Sequence, residues 1–379
     1  MTHRRTFVVG VLVAALAAAS AGCSGDGDAP SGSGSPSPSP APPPSAGGYA
    51  YVKVEFGQSW TDTRSQLIVM DGGEEIGRSD PLFLAGRPLF TSDGRHAFVL
   101  PSLLDEIVVI SADTGETRSV PCEGCEARQT ECHCQVVAPI GGSRIAWLDG
   151  ENRLVVTDLA DAAPTPRPTD VTLPEQDGFL DERVVPNLIA GTEGAALAAY
   201  PHGSLPGDDL MPAFLVTPDD EPRRLDPRRP DAIEEAAFSP DGTRVALTGS
   251  QEYACTTVTV VDVASGRGET APVLAAPGTE CEGVDAYIDS MWWDPDGSLH
   301  VSYEIDEGDT WSQESTAPEQ YQRRLHEGRW VDADVGRATE QRQLSAGTAT
   351  IRGDGTLLVG SGGRQTEIDT DVRYLIAAP

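Results

Sequence analysis

A chain of 379 residues with 39% hydrophobic side chains can form one large domain or two ordinary ones, and 40 Gly with 30 Pro favour many turns over long helices. Its formal net charge of -32 argues against nucleic acid, whose phosphates need a basic face, and against adsorption to anionic lipid headgroups. The same charge favours a basic protein, a cationic ligand or a metal, and it keeps an exported chain soluble. Lys53 is the only lysine, so Schiff-base chemistry would have to rest on it.

Residues 1–22 have the parts of a secretory signal peptide. Arg4 and Arg5 supply the charged start, and Phe7 to Ala19 form an apolar stretch too short for a comfortable membrane span. Ser20-Ala-Gly-Cys23 follows and resembles a bacterial lipobox, with Ser20 where a leucine is usual. That resemblance implies lipidation of Cys23 (a palmitate-type anchor) and attachment to the outer face of the cell membrane. The alternative is plain secretion after cleavage at Ala19-Ser-Ala21. Setting Cys23 apart leaves six cysteines, an even number. Residues 23–48 are rich in Pro, Ser and Gly and have too little apolar surface to offset their ordering entropy, which predicts a disordered, extended tether.

From residue 49 to 379, short runs rich in Val, Ile, Leu and Tyr alternate with Asp, Gly, Ser and Pro clusters, the pattern of an all-β domain. Phe238-Ser-Pro-Asp-Gly-Thr-Arg-Val-Ala-Leu247 reads as strand, tight turn, strand: Pro240 presets φ at the first corner and Gly242 supplies a left-handed residue. Related turns recur at Gly94, Gly142, Gly194, Gly297 and Gly355, at steps of about 48 to 58 residues, the spacing of propeller blades. An apolar strand trails each hairpin, as in Leu67–Asp71, Ile107–Ile110, Leu154–Asp158, Phe214–Val216 and Val258–Asp262. Six glycines give six blades of four antiparallel strands. Residues 49–79 hold only the later strands of another, and Arg373-Tyr-Leu-Ile376 is the candidate for its missing strand. The expectation is a seven-bladed β-propeller, with six blades as the alternative.

Phe238–Leu247 and Trp293–Tyr303 resemble the repeat of TolB-type (WD40-like) propellers. The resemblance implies a fold and a protein-binding role. The amino-terminal α/β domain of that family is replaced here by the tether, so it does not imply membership of the Tol machinery.

Cys122, Cys125, Cys132 and Cys134 cluster around His133, and Cys255 and Cys281 complete the set. Four thiols and a histidine in so short a span could hold zinc. In an exported chain disulfides are the expected outcome, nested as Cys122–Cys134 and Cys125–Cys132 with Cys255–Cys281 as a third. A redox-active CxxC is a further alternative.

No nucleophile elbow, HExxH helix or phosphate-binding glycine loop occurs. His96 and His300 occupy corresponding strands of two blades, and Asp294-Pro-Asp-Gly297 is only a partial calcium loop. An acidic segment at 304–322, with Glu304, Asp306, Glu307, Asp309, Trp311 and Tyr321, reads as a loop inserted between two strands and as a candidate contact surface. The sequence therefore predicts a monomeric, non-catalytic, membrane-anchored extracytoplasmic scaffold for an unidentified protein or envelope ligand, with no catalytic residue, metal or cofactor. The competing reading is a glycan hydrolase or lyase with paired carboxylates at the channel mouth.

Overall fold

The computed structural model describes residues 48–379 apart from 58–61, 84–85, 103, 133–134, 178–182, 201–211, 227–232, 234, 249–256, 273, 275–284, 307–318, 334–337, 346 and 362–363. The signal, Cys23, the tether, His133, Cys134, Cys255 and Cys281 lie outside the described residues, as do Glu307, Asp309 and Trp311.

Seven antiparallel blades make up the fold. Blade 1 runs Leu89–Phe90, His96–Val99, Glu106–Ser111 and Thr117–Pro121. Blade 2 runs Val137–Pro139, Arg144–Leu148, Arg153–Asp158 and Arg167–Thr172. Blade 3 is Asn187–Thr192, Ala195–Ala199, Ala213–Val216 and Arg223–Leu225, and blade 4 is Glu235–Phe238, Arg244–Thr248, Thr259–Asp262 and Gly268–Thr270. Blade 5 is Asp285–Trp293, Leu299–Asp306, Glu319–His326 and Arg329–Asp332, and blade 6 is Ala338–Leu344, Gly347–Arg352, Leu357–Ser361 and Arg364–Asp369. Blade 7 joins the two ends of the domain. Val372–Ala377 supplies its first strand and pairs with Tyr49–Glu55, followed by Arg64–Asp71 and Glu74–Arg78. The first strand of every blade contacts the first strand of the next, so these seven strands ring a central channel.

In blades 1, 4 and 5 the turn between the first two strands has a common chemistry. In blade 4 the Asp241 carboxylate accepts from the Ser239 hydroxyl at 2.6 Å and the Thr243 amide at 3.1 Å, and Gly242 sits at φ 66°. These bonds, the Ser239 hydroxyl first, hold the Asp241 carboxyl down at about 2. Blade 1 repeats the arrangement with Thr91, Asp93 and Gly94. Gly355 does not belong to this series. It lies in the second turn of blade 6, between Gly347–Arg352 and Leu357–Ser361, and the first turn of that blade carries Gly347. The longer last step in the glycine spacing is this shift of one hairpin.

Apolar clusters fill six of the seven seams between blades. Phe98, Ile107, Ile145 and Trp147 join blades 1 and 2; Leu148, Leu154, Leu188 and Ala198 join blades 2 and 3. Equivalent clusters join blades 3 and 4, 4 and 5, 6 and 7, and 7 and 1. Among the described residues the seam between blades 5 and 6 has none. Its buried groups include the polar Ser290, Ser302, Gln322, Glu340 and Thr350, with Trp292 beneath Arg342.

The cysteine cluster departs from the nested pairing. Cys122 is bridged to Cys125, whose Cα atoms a tight turn brings to 5.6 Å, inside the range a disulfide spans. Cys125 then opens a short helix, Cys125–Cys132, that the sequence did not suggest. The helix positions buried Arg128 to donate to the Pro186 carbonyl at 2.6 Å, the Asn152 side chain at 2.6 Å and the Asp149 carbonyl, tying blade 2 to the approach to blade 3. The 304–322 segment also differs from a plain loop. Glu304 and Asp306 end the second strand of blade 5, and Tyr321 lies in the third, stacked on Tyr303 at 5.6 Å. No helix among the described residues is long and apolar enough to cross a membrane.

Gly191 marks a close approach of the first strands of blades 2 and 3, since a Cβ there would lie 1.9 Å from the Pro139 carbonyl oxygen. Gly191→Ala should therefore destabilise the ring by about 1–3 kcal/mol, the usual cost of overpacking, read as a lower midpoint in calorimetry. An unchanged midpoint would mean that blades 2 and 3 can separate freely at the channel.

Candidate functional site

The channel encloses a cavity of about 450 Å³ lined from all seven blades, a size ordinary for a small-molecule site. Its polar groups include Arg87, Glu235, Asp289 and Arg342, set among Phe238, Trp292, Trp293 and Tyr374.

Local backbone irregularity delivers two of these groups. In blade 5 the ladder pairs Ile288 with Tyr303 and Ser290 with Ser302, which leaves Asp289 as the extra residue of a β-bulge. Bulging turns the Asp289 side chain to the channel and frees its carbonyl, which accepts from Arg87 Nη2 at 2.8 Å. In blade 6 the register slips between Ala338 and Glu340, ahead of Arg342.

Glu340 is buried, and its carboxylate gathers the surrounding donors. Oε1 accepts from Arg87 Nη1 at 3.0 Å, from the Ser290 hydroxyl at 3.2 Å and from Arg342, while Oε2 accepts the Leu375 amide at 2.8 Å. Charge-assisted bonds of this kind are what let a carboxylate remain ionised away from water. Arg342 lies over the Trp292 ring at 4.9 Å and Arg87 over the Tyr374 ring at 5.5 Å. Behind Trp292, His300 stacks at 5.4 Å, with its Nε2 3.0 Å from Asp294 Oδ2.

Electrostatics divide these groups into distinct roles. Burial opposes the Arg87 charge, but Glu340, Glu235 and the other acidic groups around it outweigh burial and raise its pKa. Burial lowers Arg342 to about 10, so it remains a cation at neutral pH. Asp289 is pushed up to about 7, first by burial, then by the negative charges of Glu304 and Glu235, with Arg87 in opposition. A carboxyl that keeps its proton to neutrality can donate one, which an ordinary aspartate cannot do there.

Of the residues singled out in the sequence, Glu304 acts on the site through its charge on Asp289. His96 and His300 remain within blades 1 and 5 and are both buried. Asp294–Gly297 is the first turn of blade 5, closed by Gly297 donating to Asp294. The sequence reading missed Arg87, Glu235, Asp289, Glu340 and Arg342. For all but Arg87, which precedes its strand, the available signal was a charge inside a first strand where other blades carry apolar residues, as in the Ile288-Asp-Ser-Met-Trp292 run.

No family model and no curated protein matches the chain. Solved structures resemble it at the level of the fold. A protein designated a 6-phosphogluconolactonase from Bacteroides fragilis matches at 14% identity and TM-score 0.49, over 90% of this chain and all of that one. The β-propeller domain of the Trilobed protease from Pyrococcus furiosus matches at 10% identity and TM-score 0.49, over 87% and 94%. Acylaminoacyl peptidase from Pyrococcus horikoshii matches at 11% identity and TM-score 0.46, over 85% of this chain and 51% of that one. Proteins designated as hydrolases stand among these structures, against the expectation that the chain is not an enzyme, although the likeness itself is one of fold. The motifs sought were local in sequence, whereas a channel site is collected from strands in separate blades.

Asp289 gives the fold a pH dependence of definite sign. Its carboxyl titrates near 3.8 in the unfolded chain and about 7 in the fold, so between those values the native state holds the extra proton. Stability should fall as pH rises from about 4 to about 7, by up to about 4 kcal/mol, and level off above. Asp289→Asn should remove that slope and raise the thermal midpoint at pH 8, checked by denaturation across pH. An unchanged slope would show that Asp289 is an ordinary carboxylate.

Proposed function

We propose that the chain is a hydrolase working by general acid–base chemistry at the propeller channel on a small, uncharged, polyhydroxylated substrate of the glycoside class. The observation that carries this reading is Asp289, a carboxyl held protonated to about 7 in an aromatic-walled cavity that also contains Glu235. With Asp289 neutral, Arg87 and Arg342 stand against Glu235, Glu340 and Glu304, so no excess of positive charge favours an anionic substrate. Trp292, Trp293 and Phe238 offer faces on which a sugar ring can stack.

In this mechanism Asp289 gives its proton to the leaving glycosidic oxygen as that bond to the anomeric carbon breaks. Glu235 takes a proton from the water whose oxygen bonds to the same carbon. Proton exchange with solvent then restores both carboxyls. Lipid on Cys23 would hold the enzyme at the outer face of the cell membrane, with residues 23–48 as a spacer, and Cys23→Ser should release it into the soluble fraction.

A panel of chromogenic aryl glycosides tests the reading. Turnover of one class is expected to fall about 10²–10⁴-fold in Asp289→Asn, with an alkaline limb near 7 in the wild-type pH profile. No turnover with any member, together with no thermal shift from the parent sugars, would overturn it.

A further inference from the structure

The polar seam between blades 5 and 6 contains one group that reaches beyond the two blades it belongs to. Glu340 is 2% exposed, and its partners come from four parts of the ring. Arg87 arrives from the segment ahead of blade 1, Ser290 from blade 5, Arg342 from its own strand, and Leu375 from the carboxy-terminal strand that completes blade 7. The Arg87 contact spans 253 positions in sequence and the Leu375 contact spans 35. Val372–Ala377 is the innermost strand of its blade and, among the described residues, has a strand neighbour on one side only, Tyr49–Glu55. The Leu375 amide points the other way and finds its acceptor in Glu340 Oε2.

We propose that Glu340 is the positioning residue of the channel site, fixing Arg87 and Arg342 through one carboxylate oxygen and binding the ring-closing strand through the other, so that the site is assembled only when the ring is closed. This rests on the acid–base reading of the channel for its functional meaning. The physical link between closure and site geometry does not depend on that reading. Each oxygen has its own task. Oε1 gathers the three side-chain donors, and Oε2 is the acceptor given to the closing strand. A glutamine at 340 has one carbonyl oxygen and no charge, so it cannot satisfy both sets. An aspartate keeps the charge on a stem shorter by one methylene and should recover part of the geometry.

The groups that act on Asp289 are Glu304 on the neighbouring strand of its own blade, Glu235 from blade 4, Arg87 from the segment ahead of blade 1, and Glu340 from blade 6. Removing the Glu340 charge takes away one repulsion and leaves Arg87 free to act as a counter-ion to Asp289. Both changes lower the Asp289 titration midpoint.

The experiment uses the full chain as wild type, Glu340→Gln and Glu340→Asp, with backbone amide exchange at Leu375 and carboxyl NMR titration of Asp289 as readouts. In Glu340→Gln, exchange at Leu375 should quicken roughly tenfold, the scale of one lost charge-assisted hydrogen bond, while amides elsewhere in Val372–Ala377 keep their protection. The Asp289 midpoint should fall below its wild-type value, and Glu340→Asp should move both readouts part of the way back. Unchanged exchange at Leu375 with an unchanged Asp289 midpoint in Glu340→Gln overturns the proposal. Uniform loss of protection along the whole strand also overturns it, because Glu340 would then be a fold residue with no particular hold on the site. A wild-type Asp289 that titrates near 3.8 would sink the acid–base function and leave the Leu375 exchange to decide the link between closure and geometry.

Discussion

A four-stranded blade has two faces to bury and only its neighbours to bury them against, so ring closure is the condition on which the rest of the molecule depends. The chain meets it by drawing blade 7 from both ends. Val372–Ala377 pairs with Tyr49–Glu55, and Val54 donates to the Asp371 carbonyl at 2.8 Å. Lys53 reinforces the junction through a 2.5 Å ion pair with Asp369 on the last strand of blade 6. With the first strands in a closed ring, residues hundreds of positions apart face one channel at fixed separations.

Among the described residues, six seams around that ring have apolar clusters, and the seventh relies mainly on hydrogen bonds and charge around Trp292. A buried ion pair often stabilises no more than hydrophobic packing of similar volume, so charge adds little to the hold between two blades. What it supplies is orientation. Glu340 and its donors hold two guanidinium groups in place, and the bulge at Asp289 breaks the strand ladder where a carboxyl is presented to the cavity. Regular packing and chemical competence are therefore separated around the ring.

The fold was legible in the sequence because its turns are chemically explicit. Pro240, Asp241 and Gly242 each perform a separate task, and the Asp carboxylate bond to the amide two residues on recurs at Asp93, Asp241 and Asp296. That legibility has a limit. Asp354 makes the same bond to Thr356 in a different hairpin of its blade, so turn text reports that a hairpin exists and not which one it is. The site was far less legible. Asp289 differs from a misplaced charge only once the bulge is known, and Arg87 sits before its strand in a Gly-Arg-Pro segment with nothing to announce that Glu340 is its partner. Glu304 was noticed for its acidic surroundings, and it proved to matter for its field at Asp289.

Blade 7 also sets an order in time. Tyr49–Glu55 is synthesised before the strands of blades 1 to 6, and Val372–Ala377 after them. Until the later strand is available, the early strand has one edge unpaired and its cluster with blade 6 unfilled, a state open to pairing with another chain. Emergence of Val372–Ala377 is therefore the event that lets the ring close, and a chain interrupted anywhere before residue 372 carries an open edge and an unfinished channel.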